Sequence, residues 1–219
     1  MNFNIYEPDP AKRVALGKLR ERQIANALRD QANLDIRDAT ESQDKYRKID
    51  RWIYPNKNFN GSNPIPLQIK FRTKGNDLLF EVYDTFLDWN LPDNAFGKPG
   101  TFNKIGRDMQ GDAKMYAVLL ANKDWQGKNV IVMVNTDIAK QFIWNMVDIA
   151  QNKGWTREGY TKTLRLPIAP YFDNSKATLI GNPVAELKLQ HDPGDGRPKM
   201  IAYIPDALFL ASHYSVSLP

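Results

Sequence analysis

Leu67-Gln68-Ile69-Lys70-Phe71-Arg72 alternates apolar and polar side chains with the two-residue period of a β-strand buried on one face. Leu67, Ile69 and Phe71 point one way; Gln68, Lys70 and Arg72 point the other. The polar row holds an amide and two cations with no anion among them, so either water or an external anion balances it. Upstream, Ile49-Asp50-Arg51-Trp52-Ile53-Tyr54 reads as a second strand. The Asn-, Gly- and Pro-rich connection from Pro55 to Pro66 lets the two pair as a hairpin. Asp50 is then expected beside Gln68 and Lys70. A solvated sheet face is the simplest account of such a row, and the rest of the chain decides whether other groups converge on it.

Toward the N-terminus, Asp9-Pro10 has the chemistry of a helix cap followed by proline in the first turn, and a helix is expected from there to about Ala32. Leu16, Leu19, Ile24, Ala27 and Leu28 carry its apolar spacing, while Lys12, Arg13, Lys18, Arg20, Arg22 and Arg29 make its other side basic. Glu21 stands in line with Ile24, Ala25 and Leu28, which places a carboxylate at the edge of the inward face. An intrahelical ion pair with Lys18 would explain it; so would a meeting with Asp50. Between Asn33 and Lys48 lies a polar, acidic segment with Asp35, Asp38, Glu41 and Asp44. It reads as a first strand or extended segment whose carboxylates are loop charges, followed by the basic run Lys45-Tyr46-Arg47-Lys48.

Downstream, Leu78-Leu79-Phe80-Glu81-Val82-Tyr83 is expected to be a third strand of the same meander. Asp84 to Gly111 is irregular, and Gly97 to Arg107 mixes glycines, cations and an aromatic without the Gly-Lys-Ser/Thr ending of a phosphate-binding loop. It is either a clamp on a nucleic-acid backbone or a basic surface loop. Met115 to Leu120 and Val130 to Val134 are near-continuous apolar runs, as in central strands covered on both faces. Thr136 to Gln151 is a helix capped by Thr136, with Ile138, Phe142, Ile143, Met146, Val147 and Ala150 inward. Thr163–Pro167, Ala185–Gln190 and Met200–Ile204 read as strands, with a short helix from Pro205 to Leu210. A core over residues 1–154 with a β-rich extension over 155–219 packed on the same domain is the expected organisation.

The chain has 219 residues, enough for one substantial core, and 30 Lys plus Arg against 25 Asp plus Glu give a formal charge of +5, which suits a polyanionic partner. With no cysteine and only His191 and His213, disulfide frameworks, thiolate zinc sites, cysteine nucleophiles and His-rich metal sites are excluded. His191 with Asp192 and Asp195 is better explained by turn chemistry than by a metal. No apolar run approaches a membrane span and the N-terminus lacks a signal-peptide pattern, so a cytoplasmic protein with no membrane partner is expected.

The order of these segments, with Asp50, Gln68 and Lys70 on adjacent strands and Glu21 on the preceding helix, resembles the PD-(D/E)XK nuclease superfamily. The likeness covers roughly Pro10 to Gln151, and Gln68-Ile69-Lys70 looks like the (D/E)-X-K strand with glutamine at the acidic position. The resemblance implies an α+β (α/β) fold with a restriction-endonuclease-like core, a central mixed sheet flanked by helices in an αβββαβ arrangement. It also implies Mg²⁺ (or Mn²⁺) held by Asp50, the Gln68 side-chain oxygen and the Ile69 carbonyl, with Glu21 acting through water or on a second ion. Lys70 would orient the attacking water or stabilise the developing anion, and Arg72, Lys74, Lys104 and Arg107 would contact the nucleic-acid backbone. The implied function is metal-dependent hydrolysis of phosphodiester bonds, with DNA the expected substrate. Two sites in a homodimer would be the simplest way to cut two strands. The competing readings are a non-catalytic nucleic-acid-binding or assembly protein with a degenerate nuclease-like fold, and an α+β protein whose polar row simply faces water.

Overall fold

Pro10 opens the first helix because Asp9 stands before it in an extended conformation and its carboxylate accepts hydrogen bonds from the Ala11 and Lys12 N–H groups at 2.9 and 3.4 Å. In the computed structural model this helix, α1, runs Pro10–Ala32 and stops at Asn33, whose left-handed φ of 51° turns its N–H back to the Leu28 carbonyl. The structure describes residues 9–56, 63–72, 77–84, 104–121, 129–153, 156–158, 161–167, 184–191, 198–205 and 212–216. The chain divides into two compact units, one formed by Met1–Asn76, Asp112–Thr136 and Ala211–Pro219, the other by Asp77–Gly111 and Asp137–Leu210.

In the first unit, β1 (Asp35–Asp38), β2 (Arg51–Tyr54) and β3 (Ile65–Arg72) form an antiparallel meander, with Ile36 opposite Ile53 and Arg51 opposite Leu67. A π-helical turn, Gln43–Arg47, interrupts the path from β1 to β2. Later in the chain, β6 (Met115–Ala121) and β7 (Asn129–Asn135) extend the sheet, β6 lying parallel to β3 with Ile69 opposite Ala117. The alternation of β3 then explains its packing. Leu67 and Ile69 join Ile24, Ala25 and Leu28 of α1 in one buried cluster with Ala117, Leu119, Ile131 and Met133, and Phe71 packs against it. Gln68, Lys70 and Arg72 consequently project from the face turned away from that cluster. Val118, Leu120, Val130, Val132 and Val134 are buried as well, as the continuous apolar runs led one to expect.

The second unit is an antiparallel sheet of β4 (Asp77–Asp84), β5 (Lys104–Ile105), β8 (Thr156–Glu158), β9 (Thr161–Pro167), β10 (Val184–His191) and β11 (Pro198–Pro205), in the order β5-β4-β11-β10-β9-β8. It also holds the short α2 (Arg107–Gln110) and α3 (Thr136–Lys153) from its second residue onward. Leu78, Phe80 and Val82 supply the buried face of β4, and Tyr83 meets Trp144 of α3 edge-to-face at 5.7 Å.

The mixed α+β class is as expected; several finer expectations are corrected. Leu78 to Tyr83 does not continue the meander, since β4 pairs with β11 from residue 198 onward. The meander's third strand is instead β1, which bears out the first strand expected in the acidic segment before Asp50. The two units cross the expected boundary at residue 154, because β8 to β11 share a sheet with β4. A twelfth strand, Ser212–Val216 (β12), was not expected and returns to the first sheet along β7. Thr136 does not cap α3 from outside; it begins the helix, and its buried hydroxyl donates to the Ala113 carbonyl at 2.5 Å. Ile138 is 59% exposed and not inward, while Arg20, assigned to the basic outer side of α1, is only 5% exposed with its guanidinium 4.2 Å from the Phe71 ring centroid. The helix expected over 205–210 lies outside the described residues except for Pro205, which ends β11. Among the described residues no helix is long and apolar enough to cross a membrane.

Candidate functional site

Asp50 stands at the point where β2 and β3 part. Its backbone is tied down on every side: its N–H donates to the Leu67 carbonyl at 3.0 Å, and its carbonyl accepts from the Ala39 N–H at 3.2 Å and from Arg51 Nη1 at 2.6 Å. Arg51 is itself ion-paired with Asp38 of β1 through Nε at 2.9 Å. The pairing of Arg51 with Leu67 places Asp50 opposite Gln68. With β2 no longer offering a carbonyl beyond this point, the Asp50 carboxylate takes over: Oδ2 accepts the Ile69 N–H at 2.6 Å. In an extended strand the carbonyl of a residue faces the same side as its N–H, so Ile69 turns its oxygen toward the same notch.

Burial pushes the Asp50 carboxyl up to about 6, and the nearby Asp44 charge adds to this; the Ile69 N–H, Arg51 and Lys70 pull the other way. Glu21, reaching from α1, is raised to about 7, first by burial and next by the Asp50 charge, with Asp44 contributing and Arg51 and Lys18 opposing. The two carboxylates therefore feel each other, and both are desolvated. On the strand face turned away from α1, Lys70 carries its ammonium 5.3 Å from the centroid of the buried Tyr116 ring, close enough for its charge to act on Asp50. Gln68 presents a side-chain oxygen, Oε1, that is buried and accepts no hydrogen bond from any described residue. A buried carbonyl oxygen without a donor is unfavourable by about 1–3 kcal/mol, unless something electropositive faces it.

Asp50 is thus the meeting point, with Glu21 coupled to it from the helix side and Lys70 from the outer face of β3. The oxygens near Asp50 that suit a hard cation are its own carboxylate and the Ile69 carbonyl at the strand edge, with the Glu21 carboxylate on the α1 side of the sheet and Gln68 Oε1 on the opposite face. Among the described residues no three His, Cys, Asp or Glu side chains group closely enough to hold a metal by themselves, so the amide and backbone oxygens matter to any such site. Arg72 follows on the Lys70 face and is half-buried. Lys74 lies outside the described residues. Lys104, at β5, and Arg107, in α2, belong to the second unit, where the Arg107 N–H donates to Glu81 Oε1 at 3.2 Å.

No family model, no curated protein and no solved structure matches this chain. The site therefore rests on its own chemistry. Three contributors carry no local signal of their role: Arg51 beside Asp50 reads as an ordinary strand residue, Asp44 as one loop charge among several, and Tyr116 as part of an apolar run. Only the parallel register that sets Gln68 opposite Tyr116 brings the ring beneath Lys70.

Proposed function

We propose that this chain is a divalent-metal-dependent nuclease that hydrolyses phosphodiester bonds in DNA. The observation that carries the reading is Asp50: a carboxylate locked onto the Ile69 N–H at 2.6 Å, charge-coupled to Glu21 on one side and Lys70 on the other. The unpartnered Gln68 Oε1 fits the vicinity of a cation, and so do two carboxyls whose desolvation and mutual repulsion a cation would relieve. Asp50, Gln68 and the Ile69 carbonyl would hold Mg²⁺ or Mn²⁺, with Glu21 in support. When bound, the ion supplies Lewis-acid stabilisation of charge on the scissile phosphate and makes water more acidic. Lys70 places a fixed positive charge where negative charge grows on the phosphate. Arg72, on the same strand face, is suited to a neighbouring phosphate.

The order α1, β1, β2, β3, α2, β6 supports a restriction-endonuclease-like core, with one departure: the path from β3 to its parallel partner passes through β4, β5 and the four-residue α2, where a long helix would be expected. A second reading, a nucleic-acid-binding or assembly protein without catalysis, is favoured by Gln68 itself, since an amide holds a cation less tightly than a carboxylate. Cleavage assays and calorimetry separate the two. Asp50→Ala and Lys70→Ala are expected to abolish Mg²⁺-dependent cleavage of DNA while preserving the circular dichroism spectrum. Cleavage retained by both purified variants ends the assignment. Salt-sensitive DNA binding with no Mg²⁺ or Mn²⁺ binding selects the second reading.

A further inference from the structure

Tyr46 is 73% exposed, yet the turn that carries it is held from several directions. Thr40 and Gln43 cap one another, the Thr40 N–H donating to Gln43 Oε1 at 2.9 Å and the Gln43 N–H to Thr40 Oγ1 at 3.3 Å. Trp52 Nε1 donates to the same Gln43 oxygen at 3.2 Å, which anchors the turn to β2. At the other end Arg47 Nε pairs with Asp112 Oδ2 at 2.7 Å, and the Asp112 N–H donates to the Arg47 carbonyl at 2.9 Å. Lys48 closes the π-helical turn with a left-handed φ of 57°, an uncommon conformation for a residue other than glycine, and its Nζ donates back to the Lys45 carbonyl at 2.6 Å. Here the turn lifts an aromatic ring into water on a rigid mount with Lys45 beside it, while Arg47 is held by Asp112, Lys48 by the Lys45 carbonyl, and Glu41 and Asp44 are the exposed acids of the segment. Lys45 Nζ lies 5.3 Å from the centroid of the ring. The turn also borders the site: Asp44 acts electrostatically on both Glu21 and Asp50, and Asp50 follows Lys48 by two residues.

We infer that Tyr46 is a stacking platform for an unpaired base, with Lys45 beside the adjoining phosphate, so that the Asp50 site takes single-stranded DNA. An exposed ring with a cation next to it is what a sequence-tolerant single-strand binder uses, because every base offers a π face while a duplex hides its faces in the stack. The inference names the substrate class of the proposed nuclease and rests on that reading, but its test does not pass through cleavage. Fluorescence anisotropy in EDTA measures the full-length chain on a labelled oligothymidylate and on its duplex with oligoadenylate. Tyr46→Ala is expected to weaken single-strand binding roughly tenfold and duplex binding by less than about twofold, with Tyr46→Phe close to wild type, because stacking needs the ring and not the hydroxyl. Equal losses on both probes, no loss on the single strand, a Phe variant as weak as the Ala variant, or a wild-type chain that binds neither probe overturns it. Metal-dependent cleavage that Asp50→Ala abolishes, beside single-strand binding indifferent to Tyr46, would leave the nuclease standing and remove the platform. Tyr46-dependent binding in a chain that cleaves nothing would do the reverse.

Discussion

Glu21 and Asp50 both hold their protons more tightly when folded than unfolded, rising from 4.5 to about 7 and from 3.8 to about 6, with burial the largest cause for each. Between those values the folded chain binds more protons than the unfolded one at these two sites, so the stability they contribute is fully present below about pH 4 and is lost as pH rises through about 6 to 7. Metal-free protein is therefore expected to melt at a lower temperature at about pH 8 than at about pH 5, and Glu21→Gln is expected to flatten that profile. Thermal scans across the window check it; an unchanged slope in the variant would separate Glu21 from the effect. Gln68 offers a complementary test. Replacing its lone buried acceptor by methionine of similar volume should stabilise the metal-free chain by about 1 kcal/mol, roughly 2–4 °C in a chain of this size. The same change should abolish any rise in melting temperature on adding Mg²⁺. A Met variant no more stable than wild type would mean the amide is satisfied. At this scale the sequence revealed the identities but not the relations. Alternation placed Gln68 and Lys70 on one face, and helical spacing set Glu21 at an inward edge, yet that Asp50 would grip the Ile69 N–H depends on where two strands diverge, which no local pattern encodes.

The elements themselves were legible wherever local chemistry decides them. Asp9-Pro10 specifies the start of α1, and the apolar runs specify β6 and β7. Partner choice was not legible, because alternation in β4 is satisfied equally by either sheet. β12 was missed because Ser212–Val216 is short, largely polar and pairs with a strand some eighty residues earlier. What ties the corner between β5 and α2 to β4 is a contact that sequence cannot show. The Gly106 N–H donates to the Val82 carbonyl at 2.8 Å, and a β-carbon at Gly106 would overlap the Glu81 carbonyl and lie 2.9 Å from the carbonyl carbon of Val82. Backbone cannot yield as a flexible side chain would. The φ of Gly106 is −64°, so close approach alone demands glycine. Gly106→Ala is expected to cost about 3 kcal/mol or more, at the upper end of overpacking effects. Urea denaturation of the purified variant measures this, and a loss well under about 1 kcal/mol would show that β4 and α2 can separate without penalty.

Across the whole chain, the two units are interleaved: the path enters the second at Asp77, returns to the first at Asp112, leaves again at Asp137 and comes back at Ala211. A core ending at residue 154 with an appended tail, the organisation that composition suggested, and this interleaving make opposite demands on a fragment. In residues 1–154, β4 would keep β5 but lose β11, its neighbour along almost its whole length, and the fully buried Leu78, Phe80 and Val82 would lose the strands beside them. β7 would lose β12 at the same time. Each fully buried aliphatic or aromatic side chain is worth about 1.5–3 kcal/mol against exposure, so three such losses approach the whole net stability of an ordinary domain, about 5–15 kcal/mol. The fragment is accordingly expected to bind a hydrophobic dye such as ANS and to unfold without a cooperative transition, whereas the full chain shows neither behaviour. Differential scanning calorimetry beside dye binding decides the matter. A fragment with one sharp transition and no dye binding would mean that β8 to β11 are an addition to a finished fold, and that the sheet joining β4 to β11 contributes little to holding the chain together.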